Sequence, residues 1–173
     1  MLLRSLALIN YKRLNPSAHG GKLVQGRRKR ARPIAIKRSM HVVLRAGNAK
    51  GPWNMLHKRH KNLVKFLVVD TAKRYEVRLY GWENVGNHLH LHVRVKSRRS
   101  LQYFLRVLPE RIAYAITGCR SGRPIGRFWT DLAFSRIVAW GREFFHMRRY
   151  LWINHLEALG VPRKKIQHYA PFS

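Results

Sequence analysis

Acidic residues are scarce in this chain: 7 Asp and Glu stand against 36 Lys and Arg, a formal net charge of +29 over 173 residues. Such a field gathers polyanions, and Lys/Arg contacts to phosphate release counterions, giving strong but salt-sensitive binding. The shortage also excludes a class of chemistry. A site of two metals bridged by several carboxylates needs a cluster that Asp70, Glu76, Glu83, Glu110, Asp131, Glu143 and Glu157 hardly provide. Cysteine is nearly absent. Cys119 alone allows neither an internal disulfide nor a cysteine-based zinc site, and suits a reducing, cytoplasmic setting. No stretch approaches the ~20 apolar residues of a membrane span, and there are no internal repeats. The apolar N-terminal run is broken by Arg4 and followed by Tyr11-Lys12-Arg13 where a signal peptide would have a small-residue cleavage site.

What is present is apolar material sufficient for a core, 46% of residues, in a length that suits one domain. Residues 1–39 read as a basic arm. Gly20, Gly21, Gly26 and Pro33 break helices, and Arg27, Arg28, Lys29, Arg30 and Arg32 crowd five cations into six residues. Charges this dense repel unless an anion neutralises them, so the arm is expected to lie along a phosphate backbone; a solvated tail is the alternative. Residues 40–160 carry the regular patterns and 161–173 form a tail.

Met40–Ala46 is β-branched and bounded by Gly47, a first strand. A helix is expected from Asn54 to about Arg74, with Leu56, Leu63, Phe66, Leu67 and Asp70 as its repeating positions. Tyr75–Asn84 alternates Val77, Leu79 and Gly81 against Arg78 and Tyr80, a second strand, and after a Gly86-Asn87 turn His88–Lys96 is a third. Leu101, Leu105, Leu108, Ile112 and Ile116 form a helical stripe ended by Gly118, with a kink expected at Pro109. Phe134–Val138 is a short strand, and a last helix runs from about Arg142 to Leu159 before Gly160 and Pro162. This order predicts an α+β, ferredoxin-like (split βαβ) fold: an antiparallel sheet with helices on one face, plus a C-terminal helix carrying Tyr150.

Two motifs carry chemistry. Alternation in a strand points His88, His90 and His92 to one face and Leu89, Leu91 and Val93 to the other. Imidazoles at i and i+2 can share one divalent ion such as manganese, with magnesium the oxygen-preferring alternative; histidines facing phosphate or solvent are the plainer reading. His92 is either part of that set or its outer neighbour. Glu83 is either an auxiliary ligand or the partner of a nearby arginine. In the last helix, Phe145, Trp152, Leu156 and Leu159 fall in one stripe, expected to be buried, and Tyr150 and Asn154 lie together on the opposite side. An amide there can offer its oxygen to a metal or bond to water. A tyrosine can attack phosphorus and form a covalent intermediate, helped by a cation that neutralises charge on the phosphate.

These motifs, in this order, resemble the single-tyrosine HUH transposases, including the REP-associated tyrosine transposases. The resemblance spans about Arg32 to Gly160. It rests on Asn87-His88-Leu89-His90, on Tyr150-Leu151-Trp152-Ile153-Asn154, on Phe128-Trp129 followed by Phe134-Ser135-Arg136, and on the first strand His41-Val42-Val43-Leu44-Arg45. It implies a metal (Mg²⁺ or Mn²⁺) held by His88, His90 and Asn154, and Tyr150 as nucleophile. Single-stranded DNA, often with a hairpin, would be cleaved and rejoined through a 5′-phosphotyrosine link, in several members by a homodimer. His92 stands where the family usually has an apolar residue, and Asn154 where insertion-sequence members often have Gln. The competing reading is a non-catalytic nucleic-acid binder, a domesticated relative or a ribosomal-type RNA binder stacking bases on Trp53, Tyr80 and Tyr103. A relaxase or replication initiator fits less well at this size. The expected setting is the bacterial cytoplasm, at the nucleoid.

Overall fold

The computed structural model of the chain describes residues 17–24, 31–119 and 126–166. Arg27, Arg28, Lys29 and Arg30 lie outside the described residues. The elements run β1 (Ser39–Arg45), α1 (Lys61–Arg74), β2 (Val77–Asn84), β3 (His88–Val95), α2 (Arg98–Thr117), β4 (Phe134–Val138), α3 (Arg142–Ala158) and a short α4 (Arg163–Ile166). The four strands form one antiparallel sheet in the order β2-β3-β1-β4, the split βαβ arrangement. None of the described helices is long and apolar enough to cross a membrane.

One sheet face is apolar because the odd positions of β3 and the even positions of β1 are: Leu89, Leu91 and Val93 pair with Leu44, Val42 and Met40. Against them pack Val64, Leu67, Val68 and Ala72 of α1 and Leu101, Phe104, Leu108, Ile112 and Ile116 of α2, all buried. Each of these side chains other than Ala72 contributes roughly 1.5–3 kcal/mol by leaving water. Ser97 caps α2, its Oγ accepting from Ser100 N at 3.1 Å, and Gly118 ends it in the left-handed conformation. Pro109 does not interrupt this helix. Its carbonyl instead accepts from Trp129 Nε1 at 2.8 Å.

Several elements differ from the sequence expectation. Helix α1 begins only at Lys61, because residues 51–60 form a 3₁₀ turn and further turns. Its packed side is Val64-Leu67-Val68-Thr71-Ala72, and Leu56, Leu63 and Phe66 are exposed. In β2 the alternation slips between Leu79 and Gly81. A bulge at Tyr80 lets Gly81 join Glu83 on the histidine face, paired with His92 and His90 respectively.

The histidine face is covered by α3. Its packed residues are Met147 and Leu151, with Val138 of β4, and Gly81 is what lets it approach: a Cβ there would stand 3.0 Å from Leu151 Cδ1. The stripe expected to be buried lies on the side away from the sheet, where Trp152 and Leu156 are half-buried. Phe145 and Leu159 are 53% and 67% exposed. The physical reason is that α3 meets a polar sheet face, so the side that docks carries Tyr, Arg, Asn and His among few apolar residues.

The segment 17–24 belongs to the fold. His19 and Ser135 exchange backbone hydrogen bonds of 2.8 and 2.7 Å, covering the outer edge of β4. Gly20 makes this possible, since a Cβ there would sit 2.0 Å from Ala133 O. Arg32 locks the segment in place, donating to the Ser135 hydroxyl and to Ala133 O at 2.7 Å, and burial lowers its pKa to about 10. The described member of the basic run is therefore bonded within the fold.

Candidate active site

Cross-strand register builds the site. His41 of β1 pairs with His92, Val43 with His90 and Arg45 with His88, so histidines from two adjacent strands share one face. His41 Nε2 lies 3.3 Å from His90 Nδ1, with the rings stacked at 5.5 Å between centroids. His88 and His90 are also stacked, 6.1 Å apart and within 10° of parallel. Tyr150, from α3, meets both His90 and His41 edge-on at 5.4 and 5.8 Å and remains 40% exposed. Tyr150 and the histidine pair thus come together within one chain.

The hydrogen bonds orient the imidazoles. His88 Nδ1 donates to Asn87 Oδ1 at 2.7 Å, which leaves Nε2 with its lone pair. When His90 Nδ1 donates to His41 Nε2, the lone pair of His90 is on Nε2. Burial, with the neighbouring His88 adding to it, lowers the His90 pKa to about 4. Burial also holds His41 well below the ordinary value, with His90 and His92 acting the same way. Neutral imidazole is the form that ligates a metal.

Asn154 turns its amide nitrogen inward, donating to Tyr150 O at 2.7 Å, and leaves the amide oxygen without a hydrogen-bond partner. Among the described residues no group of three or more His, Cys, Asp or Glu is arranged to hold a metal. Two imidazoles and an amide oxygen remain a chemically suitable partial set, to be completed by water and phosphate oxygens.

Glu83 faces His90 across β2 and β3, but its partner is His155 of α3, at 3.1 Å, and no arginine. Burial raises its pKa, and the bond to His155 opposes the shift.

His92 sits apart from this group. It is fully buried beneath Phe144, 4.6 Å between ring centroids, and beside Tyr80 at 5.4 Å. The Ser39 hydroxyl donates to Val138 O at 3.3 Å, so His92 Nε2 is the donor to Ser39 Oγ at 2.9 Å. Its Nδ1 is left buried with no partner, which costs roughly 1–3 kcal/mol. Burial, then Arg148, lowers the pKa to about 4.

Three imidazoles with depressed pKa values make acid stability a test of this packing. The unfolded chain takes up protons near pH 6.5 while the folded chain resists until about 4, so stability is full above 6.5 and falls as pH drops through that window. Glu83, shifted the other way, offsets a small part. Thermal melts from pH 7.5 to 4 are expected to lose several kcal/mol in all, on the order of 1.4 kcal/mol per unit of depression. His92→Gln should flatten the slope; an equally steep slope in that variant would remove His92 as a contributor.

Two further neighbours escaped the sequence reading. Arg136 faces His41 from β4 and pairs with Glu143 at 3.6 Å. Burial lowers its pKa, and Glu143 and Tyr150 oppose the shift. His41 itself gave no signal beyond its strand. Of the proposed stacking aromatics, Tyr80 is engaged with His92, Trp140 and Phe144, Tyr103 stacks on Tyr75, and Trp53 packs against the core.

No protein-family model matches the sequence, and no curated protein does. Among solved structures, the chain is similar to a crystal structure from Deinococcus radiodurans R1 described as a "putative transposase". The identity is 13% and the TM-score 0.44, over 74% of this chain and 98% of that one.

Proposed function

We propose that this protein cleaves and rejoins single-stranded DNA through a covalent link to Tyr150, with a divalent metal held by His88, His90 and the oxygen of Asn154. The observation that carries the reading is the meeting of Tyr150 with His90 and His41 on a chain of net charge +29. Tyr150 Oη attacks phosphorus and the P–O3′ bond breaks, leaving a 5′-phosphotyrosine and a 3′-hydroxyl that receives a proton in exchange for the one lost by the phenol. The step is a transesterification, so the 3′-hydroxyl can reverse it and rejoin DNA. A bound Mg²⁺ or Mn²⁺ would supply charge neutralisation at the phosphate. Arg136, opposite His41 across β1 and β4, would add a cation to the same sheet face. The homodimer implied by the motif resemblance would find apolar surface on the outward stripe of α3.

The test is incubation of the full chain with single-stranded oligonucleotides from the flanks of its own gene, with Mn²⁺, with Mg²⁺, or with chelator. A protein–DNA band that survives denaturation, appears only with metal and disappears with nuclease is the expected result. An adduct of equal yield in chelator would sink the metal role. The second reading, a non-catalytic binder, is favoured by the lack of a three-residue metal group among the described residues. Binding without any adduct would establish it.

In this reading Arg27, Arg28, Lys29 and Arg30 contribute affinity. Replacing all four by Gln should flatten the slope of log K against log salt by roughly 2–3 units, at about 0.7 per phosphate on a single strand. This substitution is a cleaner test than truncation, which would also remove the Arg32 anchor. An unchanged slope would identify the run as a solvated tail.

A further inference from the structure

The histidine face does not end at His92. Arg94 follows two residues on, and Arg78 stands directly opposite it across the β2–β3 pair. Like charges directly opposed on neighbouring strands repel and destabilise the pairing unless an anion lies between them. The two arginines line a cleft of about 410 Å³ with Lys37, Lys96, Ile36 and Glu76. Four cations and one carboxylate border it. That carboxylate, Glu76, is already paired with Lys96. Arg94 is steered by its Nε, which donates to Ile36 O at 3.2 Å, and Arg78 lies over the Tyr80 ring at 5.1 Å.

We propose that this cleft binds a backbone phosphate of the same single strand that presents another phosphate, two nucleotides away, to Tyr150. This rests on the reading of the protein as a single-stranded DNA enzyme. Arg94 and His90 share one strand and one face, roughly 13 Å apart at ~3.3 Å per residue, a separation spanned by phosphates two nucleotides apart on an extended single strand. A base platform stands at the rim. Trp140 is 46% exposed, held by its Nε1 on the carbonyl of Lys37 at 2.8 Å and edge-on to Tyr80 at 5.7 Å. An indole beside a cationic groove suits a polynucleotide, which offers both phosphate and base, over free phosphate.

The experiment uses the full chain and a fluorescent single-stranded oligonucleotide, titrated over a range of salt. Lys37→Gln with Arg78→Gln, both exposed and outside the catalytic group, is compared with Lys58→Gln with Lys65→Gln, an equal loss of charge outside the cleft. The cleft pair should weaken binding about tenfold at physiological salt and flatten the salt slope by about 0.7 per phosphate lost, and the control pair should do neither. Glu76→Asn removes the one carboxylate at a residue with φ of +54°, which Asn tolerates, and should tighten binding. Equal losses in both pairs, or no gain from Glu76→Asn, would overturn the proposal. So would calorimetry in which inorganic phosphate binds the parent at the cleft while the cleft pair leaves oligonucleotide affinity unchanged. An adduct-forming parent with unaffected cleft variants defeats the cleft alone. Weakened cleft variants from a parent that forms no adduct support the cleft and remove only the nucleophile.

Discussion

The Tyr150→Phe protein is expected to fold and bind single-stranded DNA within about threefold of the parent, and to form no covalent adduct with it. The ring contacts that seat this residue, edge-on to His90 and His41, involve the aromatic face and edge and survive the change. Only the hydroxyl is lost, from a side chain that is 40% exposed and whose neighbours Met147 and Leu151 hold α3 in place. The phosphorus then has no attacking oxygen, so the loss in adduct rate should exceed ~10³-fold while the melting temperature stays near the parent's. Adduct formation at a rate near the parent's would mean that another nucleophile acts. A Phe variant that lost binding as well would mean that the hydroxyl positions the strand and does not attack it.

The histidine face was legible in the sequence because a strand alternates with a period of two, and three histidines at that period between leucines leave one face polar whatever packs on it. The order of elements led to the antiparallel split βαβ sheet for a similar reason: each strand and the α2 stripe is a local pattern. What escaped is non-local. His41 joins the cluster only through its pairing with His92 and the nearness of His90, a register that its own strand does not encode. The Tyr80 bulge left no local mark except Gly81, whose missing Cβ makes sense only once Leu151 rests above it. Helix α3 carries two candidate stripes, and choosing the more apolar one as the docking side assumes an apolar surface to receive it; its Trp152 and Leu156 are only half-buried. The sheet face it meets is lined with imidazoles, so the poorer stripe docks and the richer one, with Phe145 and Leu159, faces outward.

His90→Ala should lower metal-dependent adduct formation by at least ~10²-fold and abolish Mn²⁺ binding in calorimetry, because it removes one of the two proposed imidazole ligands and the ring on which Tyr150 rests. His88→Ala should do the same to metal binding and leave the Tyr150 contact intact. His41 provides the sharper comparison. Its Nε2 lies 3.3 Å from His90 Nδ1 and, in the proposed site, would fix which His90 nitrogen is turned to the metal without supplying a ligand itself. His41→Ala should therefore weaken Mn²⁺ binding by roughly 10–100-fold, the usual scale for a partner that orients a ligand. His41→Gln, whose amide oxygen can still accept from His90, should recover much of the loss. His92→Ala should leave Mn²⁺ affinity near the parent's and lower the melting temperature, since its ring is packed under Phe144 and bonded to Ser39. If His41→Ala were as damaging to metal binding as His90→Ala and Gln gave no rescue, His41 would itself be a ligand. The metal would then sit between β1 and β3, and Asn154 would have no place in its coordination.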